Sequence, residues 1–157
     1  MDFKIIHIDE TDSTNHWLKS SEGTVCVVAE YQTAGKGCGA NSWESERGKN
    51  LTFSVLIHPT EIHASRQFLI SEIVSVALYE TLETYLKPLV PQESLSIKWP
   101  NDIYYGDKKL CGILIENRLQ GSTFKVLLLA TIILNAITRS LKVRWHHLFT
   151  AQMSWVA

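Results

Sequence analysis

The sequence predicts an α+β fold, a mixed and mainly antiparallel sheet with helices packed on one face. Three observations carry that expectation. Short apolar, β-rich runs outnumber helical patterns, residues 64–86 repeat their apolar side chains at helical spacing, and Gly and Pro punctuate the intervals between runs. At 157 residues, with 45% hydrophobic and 20% charged side chains, the chain is long enough for one domain with its own core.

The elements follow in order. Residues 3–9 are apolar and read as a first strand. Asp12, Ser13, Thr14 and Asn15 then offer helix-capping side chains ahead of His16-Trp17-Leu18-Lys19, which places Ser13 and Thr14 at a strand-to-helix corner. Residues 24–31, rich in valine, form a second strand that runs into a glycine-rich loop, and residues 51–58 form a third. Across residues 64–86, Phe68, Leu69, Ile73, Val76, Ala77, Leu82 and Leu86 suit a long amphipathic helix, which Pro88 and Pro91 end. Residues 95–99 make a short strand stopped by Pro100. Residues 103–105 and 109–118 flank Gly106-Asp107-Lys108 as a hairpin, and a further strand starts at Thr123.

Composition excludes several classes of function. A net charge of -1 does not suit a strongly basic nucleic-acid binder. Cys26, Cys38 and Cys111 match neither a zinc site nor a disulfide framework and read as reduced thiols. His58, His63, His146 and His147 lack a carboxylate or third ligand at useful spacing, so no metal is assigned directly. The N-terminus shows no apolar stretch after a basic start, and the apolar run 126–134 is too short for a membrane span. The cytoplasm is the expected location.

One compositional break divides the chain. Every glycine, proline and acidic residue lies before Val126, whereas residues 126–157 hold Arg139, Lys142 and Arg144 and no acid. The expected organisation is a catalytic body over 1–125 and an atypical tail over 126–157.

Two blocks carry the chemistry. In the first, Gln32-Thr33-Ala34 precede Gly35-Lys36-Gly37-Cys38-Gly39-Ala40-Asn41-Ser42-Trp43. Gly35, Gly37 and Gly39 allow close backbone approach and positive-φ N–H groups suited to an oxyanion, and Lys36 adds charge. Neither the Walker spacing nor the dinucleotide fingerprint is matched. In the second, Lys98-Trp99-Pro100-Asn101-Asp102 is followed by Lys109-Leu110-Cys111-Gly112. A preorganised ammonium beside a phosphate or carboxylate lowers the barrier to acyl adenylate formation. Read alone, each block has a plain alternative: a mobile loop, and an Asx-type turn with solvated hairpin lysines.

Together these blocks resemble the catalytic domain of biotin protein ligases. Ser13-Thr14-Asn15, then Ala29-Glu30-Tyr31-Gln32-Thr33-Ala34-Gly35-Lys36-Gly37 ahead of Trp43, then Lys98-Trp99-Pro100-Asn101-Asp102 and Lys109-Leu110-Cys111-Gly112-Ile113-Leu114, fall in the family's order and approximate spacing. The resemblance covers residues 3–125 and implies the biotin/lipoate ligase catalytic fold. It also implies a two-step reaction: biotin and ATP with Mg²⁺ give biotinoyl-5′-AMP and pyrophosphate, and a lysine of a biotin carboxyl carrier domain, as in acetyl-CoA carboxylase, takes the acyl group.

By the same resemblance, Ser13, Thr14, Asn15, Gln32, Gly35, Lys36, Gly37, Cys38, Lys109 and Gly112 line the biotin side. Lys36, Trp43, Lys98, Asn101, Asp102 and Lys109 line the nucleotide side. Lys109 and Asp102 are the catalytic candidates, and Asp102 is the residue nearest the expected Mg²⁺. Relatives often pair through sheet edges, so a homodimer is a possible partner state. No DNA-binding module precedes residue 3 and no membrane partner is expected. Two alternatives share the pattern: a lipoate or octanoate ligase or transferase, and an impaired remnant that binds biotin or the adenylate without transferring it.

The departures from the family are specific. Its loop commonly carries three arginines where this chain has Lys36, Cys38 and Asn41. After Lys125 a glycine-rich strand is usual, whereas this chain continues Val126-Leu127-Leu128-Leu129-Ala130-Thr131-Ile132-Ile133-Leu134-Asn135, which suggests a truncated or frame-shifted end. Arginine binds phosphate bidentately and lysine does not. Cys38→Arg is therefore expected to slow release of biotinoyl-AMP by roughly fivefold, the worth of about one hydrogen bond. Equal release from variant and parent would count against that role for the loop.

Overall fold

The computed structural model describes residues 4–58, 62–88, 94–120 and 123–133, so Phe3, Pro91 and Asn135 lie outside it. In chain order the elements are β1 (Lys4–Thr11), α1 (Thr14–Leu18), β2 (Val25–Gln32), β3 (Gly35–Lys36), β4 (Ser42–Trp43) and β5 (Leu51–Ile57). A 3₁₀ turn at Ala64–Arg66 leads into α2 (Gln67–Leu86), followed by β6 (Leu95–Lys98), β7 (Asp102–Tyr105), β8 (Lys108–Gln120) and β9 (Thr123–Ile133).

Seven strands form one sheet in the order β1-β2-β5-β9-β8-β7-β6, and β3 pairs with β4 separately. Among the described residues β1 and β2 run parallel and the other pairings are antiparallel. The sheet is thus mixed and mainly antiparallel, as the sequence predicts. The glycine loop contains one feature that spacing did not show. Gly35 and Lys36 pair with Trp43 and Ser42, so the loop is a short hairpin with its tip at residues 37–41.

The helices divide between the two faces rather than sharing one. Along β2, Cys26 and Val28 join Val55, Leu82 and Leu86 in the larger core, whereas Val25 and Val27 join Leu18 and Leu56 in a second cluster. Successive strand residues point to opposite faces, so α2 and α1 cover opposite sides. The valine run explains this, because a strand apolar on both faces needs cover on both.

Helix α2 lies where helical spacing puts it, and Leu82 and Leu86 are buried as expected, but the rest of its buried stripe differs. Ile70, Leu82 and Leu86 are buried, and Val74 and Leu78 pack partly against the core, a continuous i, i+4 row. Phe68, Ile73 and Val76 are 62%, 52% and 48% exposed. The helix is apolar on more than one side, and the sheet covers only one of them.

Strand β9 runs unbroken through residues 125 and 126, where the composition changes. It pairs with β5 from Leu51↔Ile133 to Ile57↔Leu127, and with β8 on its other side. The segment 126–133 is therefore an interior part of the sheet.

Burial pushes the Cys26 thiol up to about 12 and raises Cys111 as well, while Cys38 is exposed. The folded protein keeps both buried thiols protonated, whereas an unfolded chain loses those protons above about pH 8.5. Their contribution to stability is intact below that pH and declines as pH rises through the window toward the folded values. Thermal midpoints are expected to fall above about pH 9. A thiol reagent at neutral pH should modify Cys38 alone until the protein unfolds.

Candidate functional site

The corner between β1 and α1 is built from the backbone outward. Ser13 occupies the N-cap position with extended dihedrals, yet its hydroxyl makes no capping bond. Asp12 instead accepts from the Ser13 N–H at 2.6 Å, and its other oxygen pairs with His16 Nδ1. The His16 hydrogen bond, followed by that from Ser13, holds the Asp12 carboxyl below its usual range. Asp12 thus holds the N–H of the N-cap residue itself, and the Ser13 hydroxyl makes no capping bond. Thr33 N–H and Ala34 N–H donate to the Thr11 and Asp12 carbonyls at 2.9 Å, fixing the end of β2 against this corner.

Thr14, Asn15 and Gln32 are buried to 1%, 2% and 6% exposure. Thr14 N–H and Oγ1 both donate to Gln32 Oε1, at 2.8 and 2.9 Å, and Ser54 Oγ donates to Thr14 Oγ1 at 2.7 Å. Asn15 Nδ2 donates to Glu116 Oε2 at 3.4 Å, and Lys19 Nζ lies 3.7 Å from the same oxygen. Asn15 Oδ1 is buried without a partner among the described residues. Ser54 and Glu116 escaped sequence reasoning. Thr52 and Ser54, two polar residues on one face of the otherwise apolar β5, were the available signal.

A second cluster stands on β7 and β8. Lys109 Nζ lies 2.6 Å from Asp102 Oδ1 and 4.9 Å from the centre of the Trp43 ring. The carboxylate oxygen meets the ammonium without hydrogen-bond alignment, so the attraction is one of charge. A Cβ on Gly112 would sit 3.2 Å from both Lys109 Cε and Trp43 Cζ3. The missing Cβ leaves room for the lysine and the indole to close over that strand. Trp43 Nε1 is buried and has no described partner.

Lys98 stands opposite Asp102 in the β6–β7 register, with Nζ 5.3 Å from the Tyr104 ring centre, and it is exposed. Asn101 braces the fold: its Nδ2 donates to the Ile113 carbonyl at 3.3 Å, and its backbone carbonyl accepts from Ile113 N–H at 2.7 Å. That clasp fixes the corner holding Asp102. Lys36 and Cys38 are exposed on the hairpin. Of the three loop glycines, only Gly39 has positive φ. Gly35 is needed for space instead, since a Cβ there would lie 2.6 Å from the Trp43 carbonyl and 2.8 Å from Gln32 Nε2.

The two clusters share a sheet face. Gly112 registers with Ile132, which registers with Thr52, and Ser54 lies two residues from Thr52 on the same side. The result is a strip with a neutral polar end at Thr14 and Gln32 and a charged end at Lys109 and Asp102. No group of three His, Cys, Asp or Glu side chains gathers to hold a metal among the described residues.

Gly35→Ala tests how tightly the hairpin closes the strip. The added methyl would strike a backbone carbonyl, so a loss of about 1–3 kcal/mol is expected, as for overpacking. Chemical denaturation of variant and parent measures it, and an unchanged midpoint would show that the hairpin yields to the added methyl.

The chain has relatives of known kind. Human biotin–protein ligase is 36% identical over 104 residues, 65% of this chain and 14% of that protein. The biotin protein ligase of Aquifex aeolicus, solved with biotin and ATP, superimposes with a TM-score of 0.67 at 30% identity, covering 83% of this chain and 51% of that one. The Leishmania major biotin protein ligase, solved with biotinyl-5-AMP, gives a TM-score of 0.64 at 26% identity over 83% and 56% of the respective chains. This chain thus spans little more than half of those structures, and far less of the human protein. Residues 5–132 match one family throughout, and on that match the chain belongs to the Biotin/lipoate A/B protein ligase family.

Proposed function

We propose that this chain activates biotin with ATP to biotinoyl-5′-AMP and passes the acyl group to a lysine of a biotin carboxyl carrier domain. The observation that carries this reading is the strip itself, with hydroxyl and amide groups at one end and a lysine–carboxylate pair at the other, on one sheet face. Biotin has a neutral cyclic urea at one end, an aliphatic chain, and a carboxylate at the other. The polarity of the strip matches in that order. Lipoate or octanoate would leave the amide corner with no polar partner, a costly arrangement for buried groups.

In the first step a biotin carboxylate oxygen forms a bond to the α-phosphorus, and the bond to the departing pyrophosphate breaks. Both reacting groups are anionic. Lys109 would offset that charge, and the face of Trp43 and the Asp102 carboxylate hold its ammonium in place. In the second step the carrier's lysine amine attacks the acyl carbon, AMP leaves, and the amine gives up a proton.

A magnesium ion would supply charge neutralisation on the phosphates. It is commonly held by one or two carboxylates plus the phosphates themselves, and Asp102 is a suitable single carboxylate. Lys36 and Lys98 would meet the nucleotide from the exposed side, while Ser13 and Asn15 would complete the urea corner.

The unit carrying this chemistry extends through Ile133, because β9 supplies the sheet behind the strip. The atypical segment is then 134–157. A cytoplasmic location is in keeping with the substrates, and no described helix is long and apolar enough to cross a membrane. A second copy would dock along a sheet edge, β1 or β6.

The test is ATP-dependent biotinylation of a carrier domain, with Lys109→Ala as the variant. A fall of about a hundredfold or more in rate is expected from removing one charge-stabilising group. Equal activity of Lys109→Ala would reject the assignment. Biotin-dependent pyrophosphate exchange by the parent separates an active ligase from an inert binding remnant.

A further inference from the structure

The β3–β4 hairpin stands on two limbs that are tied down by different means. The incoming limb is held by backbone bonds, from Thr33 N–H and Ala34 N–H to the Thr11 and Asp12 carbonyls. Those bonds do not depend on side-chain identity. The outgoing limb, residues 44–50, runs from Trp43 back to β5. Its Gly48 N–H donates to the Glu30 carbonyl at 2.9 Å, and the Arg47 side chain reaches further, to β1.

Arg47 Nη1 donates to Asp9 Oδ1 at 2.9 Å, and Nη2 donates to Glu10 Oε2. The guanidinium carbon also lies 5.1 Å from the centre of the Tyr31 ring, and Tyr31 stands opposite Glu10 in the β1–β2 register. Asp9 and Glu10 are consecutive, so their side chains leave β1 on opposite sides. One planar fork bridges both only from the outer edge of that strand. A single exposed pair contributes little, but two carboxylates and an aromatic face acting on one guanidinium restrict it more closely.

The limb so tied begins at Trp43, four residues before Arg47. Its indole meets the Lys109 ammonium at 4.9 Å and lies over Gly112. The hairpin pairs through Gly35↔Trp43 and Lys36↔Ser42, and so short a ladder holds the indole only weakly by itself. From this geometry we infer that Arg47 is a positioning residue, which anchors the outgoing limb to β1, keeps Trp43 over Lys109 and thereby retains the activated intermediate on the strip. The inference rests on the proposed biotin chemistry and adds a residue outside the strip that governs how long the adenylate stays. Because the anchor consists of exposed charges, retention weakens as salt screens them.

The experiment forms biotinoyl-AMP on the protein from labelled biotin and ATP, removes excess ligand by gel filtration, and times release at about 50 mM and about 1 M NaCl. Release from the parent is expected to quicken roughly fivefold at the higher salt, the scale of one exposed ion-pair cluster. Arg47→Ala is expected to release about fivefold faster than the parent at low salt and to change little further at high salt. Arg47→Lys, a point charge without the fork, falls in between. The double variant Asp9→Asn/Glu10→Gln should match Arg47→Ala, and combining all three changes should add nothing more.

A general structural role would lower the thermal midpoint and speed release by the same factor at both salt concentrations, and that outcome overturns the inference. Additive effects of the Arg47 and carboxylate changes overturn it as well. The doubly amidated variant, which keeps every side-chain volume, decides the question if Arg47→Ala does not fold. A parent that makes and holds the adenylate with release insensitive to position 47 refutes the Arg47 role alone. A parent that makes no adenylate from biotin and ATP refutes the functional reading and this inference with it.

Discussion

Strand β9 is the constraint on which the site depends. On one side of it lie β1, β2 and β5, which carry Thr14, Gln32 and Ser54 through their strands and connections. On the other lie β8, β7 and β6, which carry Lys109, Asp102 and Gly112. Neither half sheet holds both ends of the strip, and the β9 ladders join them at a fixed separation. Because residues directly opposite in a sheet share a face, a one-residue slip of β9 would turn one cluster away from the other. A segment that looks foreign by composition therefore sets the distance between the two chemical ends.

Within each half, charge and amide chemistry are organised by different means. The polar corner is assembled from obligatory backbone donors, and its orientation is thus fixed without any net charge. The lysine end is held by electrostatics and by an aromatic face, in partly exposed positions where water still screens. The first suits discrimination among neutral groups, and the second suits a group whose charge changes during reaction. Gly35 and Gly112 serve by omission, the first leaving room for the Trp43 carbonyl and the Gln32 side chain, the second for the Lys109 and Trp43 side chains.

Much of this was legible in the sequence. The strands, the α1 corner and α2 appear where period and punctuation put them, because each has a local cause. The valine run gave β2, and the proline and glycine positions gave the ends of β6 and the β7–β8 turn. What was not legible depends on contacts far apart in the chain. Ser54 looks like an ordinary strand serine until Thr14, forty residues earlier, lies above it. The buried stripe of α2 depends on which side the sheet approaches, and nothing in the sequence shows that the Asn101 amide also clasps the Ile113 carbonyl. Helix spacing could not choose among several apolar sides, and pairing partners are set only by the assembled sheet.

The uncovered side of α2 bears on how the molecule behaves in bulk solution. Phe68 and Trp99 approach to 6.5 Å between ring centres, and with Ile73 and Val76 they leave apolar area facing water. Colloidal repulsion from a net charge of -1 and a pI near 6.6 is weak at neutral pH. Concentrated samples near that pH are accordingly governed by short-range stickiness, and moving the buffer well away from the isoelectric point restores the charge that keeps molecules apart.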